Sequence, residues 1–203
     1  MPPQPVDDSP NGRATRDKCH IAAVADMVSA PSLDHRGMET RMDAFAKGPV
    51  VVLGPDEGES FWQPLPSRGY IVNKLTPYNT PHDGFSLGIQ VLEPGAHIRR
   101  HAHERQHEVL FCYAGEGWAE VDGARHEVRP ETTVLIGRAA WHTVQNTGSG
   151  QMRLLWMIAP AGLEDWFRAI GRPRRPGEVM PEAFECPADV AEIQARQRLV
   201  RKG

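Results

Sequence analysis

Short apolar runs separated by turn residues occupy the middle of the chain, from residue 49 to residue 160. Turn signals recur there about every 8–12 residues, a pattern that predicts the short strands of a sandwich or barrel. Asp122-Gly123 stands between two of these runs and favours a type I′ hairpin turn. The predicted strands are residues 50–53, 70–75, 85–92, 118–121, 125–128, 132–136, 142–146 and 152–158.

The N-terminal segments have a different pattern. Residues 1–18 are polar and Pro-rich, with too little apolar surface to offset the entropy of ordering, so we predict a flexible arm. Residues 19–48 are predicted to form an N-terminal extension. Apolar residues at i, i+4 and i+7 predict one helix in it, which ends at Gly48. These residues are Met38, Met42 and Phe45.

Residues 161–203 are predicted to form a C-terminal helical extension. Its first helix has apolar residues at i, i+3, i+4 and i+7 and ends at Gly171. We expect this apolar stripe to pack on the barrel; a surface for a partner protein is the alternative. Residues 172–176 are interpreted as a solvated linker and residues 188–200 as a last, charged helix. The stripe consists of Leu163, Trp166, Phe167 and Ile170.

Composition narrows the class of protein. The chain has 203 residues and a net charge of −3, which gives no reason to expect nucleic acid or a membrane as a partner. Cys19, Cys112 and Cys186 are too widely spaced for a disulfide framework and suit a reducing compartment. No segment approaches the roughly 18 consecutive apolar residues of a membrane span, and no signal-peptide core is evident. These features predict a cytoplasmic protein.

Four side chains that can bind a metal form a recognisable pattern. His101 and His103 are two residues apart, so they face the same side of a strand. Glu108 can face back toward them from the next strand, and His142 is the natural fourth ligand from a distant part of the chain. Three imidazoles and one carboxylate suit a borderline divalent metal. We therefore predict one divalent metal ion per chain at these four residues.

The spacing of these residues resembles the first motif of the cupin family, G-x5-H-x-H-x4-E-x6-G. Five residues of this chain match it: Gly95, His101, His103, Glu108 and Gly115. His107 is an alternative ligand to Glu108, but it would face the opposite side of the strand. Glu108 also keeps the motif's step to the last glycine, which favours it over His107.

The second cupin motif, G-x5-P-x-G-x2-H-x3-N, is matched in part. His142 and Asn146 stand at its last two positions. Glu131, Gly137 and Ala139 stand where the family has Gly, Pro and Gly. The ligand is therefore expected to be kept, whereas the shape of the loop before it is left open.

The resemblance covers roughly residues 80–160. It implies an all-β fold, the cupin double-stranded β-helix or jelly-roll barrel, with a central cavity and with peripheral N- and C-terminal helices. It places the chain among the small single-domain metal-binding cupins of the conserved-barrel type. Proteins of this kind commonly form dimers, so a homodimer is expected.

Strand parity predicts which side chains line the cavity. Residues that share the face of Glu108 or His142 should point inward, as should one of two neighbours in the last strand. The candidates are Leu110, Cys112, Val144 and either Trp156 or Met157.

Arg99 shares the parity of His101 and is a candidate for the mouth of the cavity, where it could bind an acidic group of a substrate. The alternative, an exposed strand residue, is equally compatible with the sequence. His97 and His126 are predicted to lie at the surface or behind the ligands.

The donor set suits Fe(II), Mn(II), Ni(II), Co(II) or Zn(II). Four protein ligands would leave positions for a substrate oxygen and dioxygen, and apolar walls favour a small organic substrate. We therefore expect an Fe(II) dioxygenase. The alternatives are a metal-dependent isomerase, lyase or decarboxylase, or a cupin that binds a small molecule without turning it over. The arm and the far C-terminus are expected to be dispensable for metal binding.

Overall fold

The computed structural model describes residues 48–197 and the backbone of residues 199–201. The predicted arm at residues 1–18 and the predicted helix around Met38 and Phe45 lie outside the described residues. Within the described part, no helix is both long and apolar enough to cross a membrane.

The described chain is an all-β jelly-roll barrel, which confirms the predicted fold class. The helices are α1 (Leu163–Ile170) and α2 (Val190–Arg196). The strands are β1 (Glu59–Gln63), β2 (Gly69–Leu75), β3 (Ser86–Leu92), β4 (His97–His103), β5 (His107–Ala114), β6 (Gly117–Val121), β7 (Ala124–Val128), β8 (Thr133–Ile136), β9 (His142–Asn146), β10 (Met152–Ala159), β11 (Arg172–Pro173) and β12 (Leu199–Arg201).

These strands form two antiparallel sheets. The larger has the order β11-β1-β2-β3-β10-β5-β8, and the smaller has the order β12-β4-β9-β6-β7. The hairpin between β6 and β7 turns at Asp122 and Gly123, which have φ angles of 48° and 87°. Two successive positive φ angles are those of a type I′ turn, as the sequence predicts.

Some sequence predictions about strands and linkers are wrong. Residues 50–53 form no strand, and Val50 and Val52 are 80% and 83% exposed. Strand β1 is absent from the predicted strands.

The C-terminal segment also differs from the prediction. The linker predicted at residues 172–176 begins with β11, which pairs with β1. The last helix ends at Arg196, and the backbone then forms β12, which pairs with β4. Strands of two or three residues carry too little pattern to be recognised in a sequence.

The core lies between the inner faces of the two sheets and α1. Along β10, buried residues alternate with half-buried ones, and Trp156 is fully buried whereas Met157 is on the other face. Trp156 therefore faces inward, which settles the alternative left open by the sequence. Burial of a side chain of this size contributes about 1.5–3 kcal/mol.

Helix α1 packs its apolar stripe on the barrel, as predicted. Glu164 and Asp165 lie in its first turn, and Gly171 follows its last residue. The ring centroids of Trp156 and Phe167 are 5.6 Å apart, a distance typical of aromatic packing. The buried stripe consists of Leu163, Trp166, Phe167 and Ile170.

Two positions, one in the turn before β8 and one in the loop before β9, have a positive φ angle without being glycine. Glu131 has a φ angle of 75° and Ala139 a φ angle of 61°, at the two positions where the cupin motif has Gly. The amide of Ala139 donates a hydrogen bond of 2.8 Å to the carbonyl of His103. The loop is thereby tied to the strand that carries the first two predicted ligands.

Glycine at either position is expected to stabilise the fold. A left-handed backbone costs a non-Gly residue about 1–2 kcal/mol, and the freedom of glycine in the unfolded chain offsets about 0.5–1 kcal/mol of the gain. Glu131→Gly and Ala139→Gly should each raise the free energy of unfolding by about 0.5–1 kcal/mol in urea titrations. The control is Ala124→Gly in β7, where φ is not positive. Ala124→Gly should lower the free energy of unfolding. An equal change in that free energy for all three variants would show that the positive φ angles are not the cause.

Candidate metal centre

The predicted ligands converge between the two sheets. His101 and His103 come from β4, His142 from β9 and Glu108 from β5. The β4–β9 register places His101 opposite His142. One donor atom from each of the four residues lies within 4.8 Å of the others, and all four side chains are buried. This cluster could hold one metal ion.

Backbone hydrogen bonds orient two of the imidazoles. The Nδ1 atom of His101 lies 2.8 Å from the carbonyl oxygen of Arg99, and that of His142 lies 3.0 Å from the carbonyl oxygen of Ala140. Because a carbonyl oxygen can only accept, each Nδ1 carries the proton when the imidazole is neutral. The lone pair of each Nε2 is then free to bind a metal.

Glu108 joins two of the histidines. Its Oε2 lies 3.2 Å from Nε2 of His103 and 3.1 Å from Nε2 of His142. In the neutral imidazole of His142 the proton is on Nδ1, so Nε2 has none to donate to the carboxylate, and Nε2 is buried without a hydrogen-bond partner in the described chain. A buried polar atom without a partner is unfavourable, and a cation between these atoms would satisfy it. The residues therefore fit a bound divalent metal.

The pKa shifts have identifiable causes. Burial lowers the pKa of His101 well below its ordinary value, and the nearby His142 and His103 lower it further. Burial acts to raise the pKa of Glu108, but the close contacts with His103 and His142 and their charges outweigh it and lower that pKa far below its usual range. Burial also opposes the charged form of His142, yet Glu108 raises its pKa overall. A neutral His101 beside an ionised Glu108 is a state suited to a metal cation.

His107 stands apart from this cluster. It is exposed on β5, whereas Glu108 is buried on the opposite face of that strand. The four-residue cluster found in the described chain does not include it. The two faces of β5 are therefore those that strand parity predicts.

A pocket opens onto His101, Glu108 and His142. Of the predicted wall residues, Leu110 and Arg99 also line it, and Arg99 is exposed as expected for a residue at the mouth. The other lining residues are Gln63, Pro64, Leu65, Pro66, Ser67, Gln90, Ile98, Leu163, Trp166, Phe167, Ile170 and Cys186.

Three predicted wall residues lie elsewhere. Cys112 and Val144 face inward, but together with Leu110 they line a separate void. Burial raises the pKa of the Cys112 thiol, which makes it less reactive. Trp156 packs in the core and is not among the residues that line the metal pocket. Parity shows which face of a strand is internal but not how far along the barrel a residue lies from the four-residue cluster.

His97 and His126 were predicted to lie at the surface or behind the ligands, and their exposure agrees with this. His126 is exposed on β7 and His97 is half-buried at the start of β4. Neither belongs to the four-residue cluster.

Sequence reasoning missed other parts of the pocket. The apolar stripe of α1 was expected to be core, yet it also forms part of the pocket wall. Gln63 and Gln90 are buried there, and Nε2 of Gln90 donates a hydrogen bond of 2.7 Å to Oε1 of Gln63. Cys186 reaches the same pocket from the segment after β11. No local signal marks these residues, because strand pairing and the packing of distant segments bring them to the pocket beside the four-residue cluster.

Comparison with known families agrees with this architecture. The family model described as Cupin domain matches residues 88–158. This part of the chain is a cupin domain. The matched segment runs from β3 to β10 and contains all four residues of the metal-binding cluster.

Two curated proteins show similarity over part of the cupin domain. Protein SchB of Streptomyces halstedii is 29% identical over 86 residues, and Polyketide synthase CurC of Streptomyces cyaneus is 23% identical over 86 residues. Each alignment covers 42% of this chain. This chain spans 62% of the length of the first relative and 56% of the second.

Similar solved structures include a predicted oxalate decarboxylase from Thermotoga maritima. It is 18% identical, with a TM-score of 0.49, and the match covers 54% of this chain and 99% of that one. A recombinant oxalate oxidase in complex with glycolate is 21% identical, with a TM-score of 0.40, and the match covers 44% of this chain and 50% of that one.

Proposed function

We propose that this cupin domain is a metal-dependent enzyme that acts on a small organic substrate, and specifically an Fe(II) dioxygenase. The observation that carries the proposal is the opening of a buried three-histidine, one-carboxylate cluster onto a pocket with a largely apolar wall. Histidine and carboxylate ligands with open positions are typical of non-haem Fe(II) oxygenases. Iron bound there would supply redox chemistry with dioxygen.

The pocket residues have separate roles in this proposal. Leu163, Phe167 and Leu110 exclude water from the space beside the cluster, which protects a reactive intermediate. The amides of Gln63 and Gln90 bind each other and can hydrogen-bond to an oxygen of the substrate. His101, Glu108 and His142 reach the pocket and would hold the metal there, so a substrate in the pocket would lie beside it.

The similarity to CurC supports a substrate class. That relative is named as a polyketide synthase. Carbon skeletons of the polyketide type carry several carbonyl or phenol oxygens, which are ligands for iron. A phenol or a diketone with an apolar body therefore suits both the cluster and the pocket wall.

The test is to reconstitute metal-free protein with Fe(II) or with Zn(II) and to follow oxygen uptake with phenols and diketones. Uptake is expected with Fe(II) and not with Zn(II), because Zn(II) has no redox chemistry. The His142→Ala variant with added Fe(II) controls for oxygen uptake by free iron.

Other outcomes would assign a different function. Turnover with both metals and without oxygen uptake would indicate a metal-dependent isomerase, lyase or decarboxylase, because the same donor set also suits Zn(II) and Mn(II). Substrate binding without turnover would indicate a small-molecule-binding cupin.

A further inference from the structure

Of the charged side chains that line the metal pocket, the negative one is paired and the positive one is not. Besides the histidines, the charged residues that line it are Glu108 and Arg99. Glu108 lies against His103 and His142 and would be further neutralised by a bound metal. Arg99 is therefore left as the positive charge that a substrate would meet.

The guanidinium of Arg99 has few partners. Its Nη2 donates a long hydrogen bond of 3.4 Å to the carbonyl of Leu65, and no described acidic side chain forms an ion pair with it. The β4–β9 register shifts between Ile98 and His101, so Arg99 lies in an irregular part of the strand beside the first ligand. Since a guanidinium carries five N–H donors, most of its hydrogen-bonding capacity is available at the pocket.

The neighbouring arginine on the same strand is placed differently. Arg100 is also exposed, but its guanidinium carbon lies 5.7 Å from the ring centroid of Trp141. It does not line the metal pocket. Two consecutive residues with the same charge thus differ in their access to the site.

We infer that Arg99 selects substrates that carry an anionic group, above all a carboxylate, at the end remote from the metal. The guanidinium binds the carboxylate at the mouth, and the apolar body lies along α1 and Leu110. The oxygen that approaches the metal is at the other end of the molecule. This inference rests on the proposed function, because it requires the substrate to occupy the metal pocket.

The experiment compares two ligands that differ in one charge. Zn(II)-loaded protein is titrated with 3,4-dihydroxybenzoate and with 3,4-dihydroxybenzamide, and binding is measured by calorimetry. Both have two adjacent hydroxyls for the metal, whereas the first alone has a carboxylate. The carboxylate is expected to bind about 10-fold more tightly, a modest ratio because solvent screens an exposed cation. Increasing salt should reduce this ratio.

Variants of the two arginines make the test specific. Arg99→Ala should bring the ratio close to one, and Arg99→Lys should retain part of it because the charge remains but the planar fork is lost. Arg100→Ala removes the same charge from the adjacent position and should leave the ratio unchanged. Equal binding of the two ligands by the unmodified protein, binding of neither, or an equal effect of Arg99→Ala and Arg100→Ala would overturn the inference.

Failure of the proposed function would look different. Zn(II) supports binding without oxygen chemistry, so carboxylate selectivity without oxygen uptake in the iron protein would remove the dioxygenase and keep the role of Arg99. Oxygen uptake at equal rates with the acid and the amide would keep the dioxygenase and remove the role of Arg99.

Discussion

Replacing His101, Glu108 or His142 with alanine is expected to abolish stoichiometric metal binding. Each variant removes one of four donor atoms that lie within 4.8 Å of one another. Changes to residues that merely orient metal ligands already cost about 10–100-fold in affinity, so loss of a ligand should cost at least about 100-fold. Elemental analysis after gel filtration should find about one ion per chain in the unmodified protein. It should find almost none in the variants.

His107→Ala is the matched control for the ligand variants. His107 precedes Glu108 on β5 but is exposed on the opposite face, so the change removes an imidazole without touching the cluster. Full metal content is expected in this variant. Metal retained by Glu108→Ala and lost from His107→Ala would show that the inner face of β5 is wrongly assigned. Circular dichroism of each variant separates loss of metal from loss of fold.

Deleting residues 188–203 is expected to weaken both the fold and the metal site. The deletion removes Ile193, which is 5% exposed, and β12, which pairs with β4. Burial of an isoleucine contributes about 1.5–3 kcal/mol, and each backbone hydrogen bond adds about 1 kcal/mol. The free energy of unfolding should therefore fall by about 3 kcal/mol or more in urea titrations. In the truncated protein β4 would also become an unpaired edge strand, which favours aggregation.

The effect on metal binding follows from the register of β12. Leu199 pairs with His103 and Arg201 with His101, so the last strand holds the backbone of two ligands. We expect metal affinity to fall about 10-fold in the truncated protein, the lower end of what loss of a positioning contact costs. This is the opposite of the sequence prediction that the far C-terminus is dispensable.

Two single substitutions in α2 test the role of its buried face without removing β12. Ile193→Ala should destabilise by about 2–4 kcal/mol because it leaves a cavity in the core. Glu192→Ala changes the exposed neighbour and should have little effect. Unchanged stability and metal affinity in both the deletion and Ile193→Ala would refute a role for this segment.

The pattern of the four candidate ligands and most of the strands around them can be read from the sequence. His101 and His103 at a spacing of two, and Glu108 with His107 beside it, specify one inward face because side chains alternate along a strand. The amphipathic spacing of α1 and the Asp122-Gly123 turn were equally readable, since both depend on local geometry.

Long-range packing, by contrast, fixes which inward faces meet at the four-residue cluster. Leu110 and Cys112 share one face of β5, yet Leu110 lines the metal pocket and Cys112 does not, because distance along the barrel is fixed by strand register. Gln63, Gln90 and Cys186 reach the pocket through pairing and packing between distant segments. A short-range pattern encodes the face of an element, whereas the neighbours of that face depend on long-range contacts.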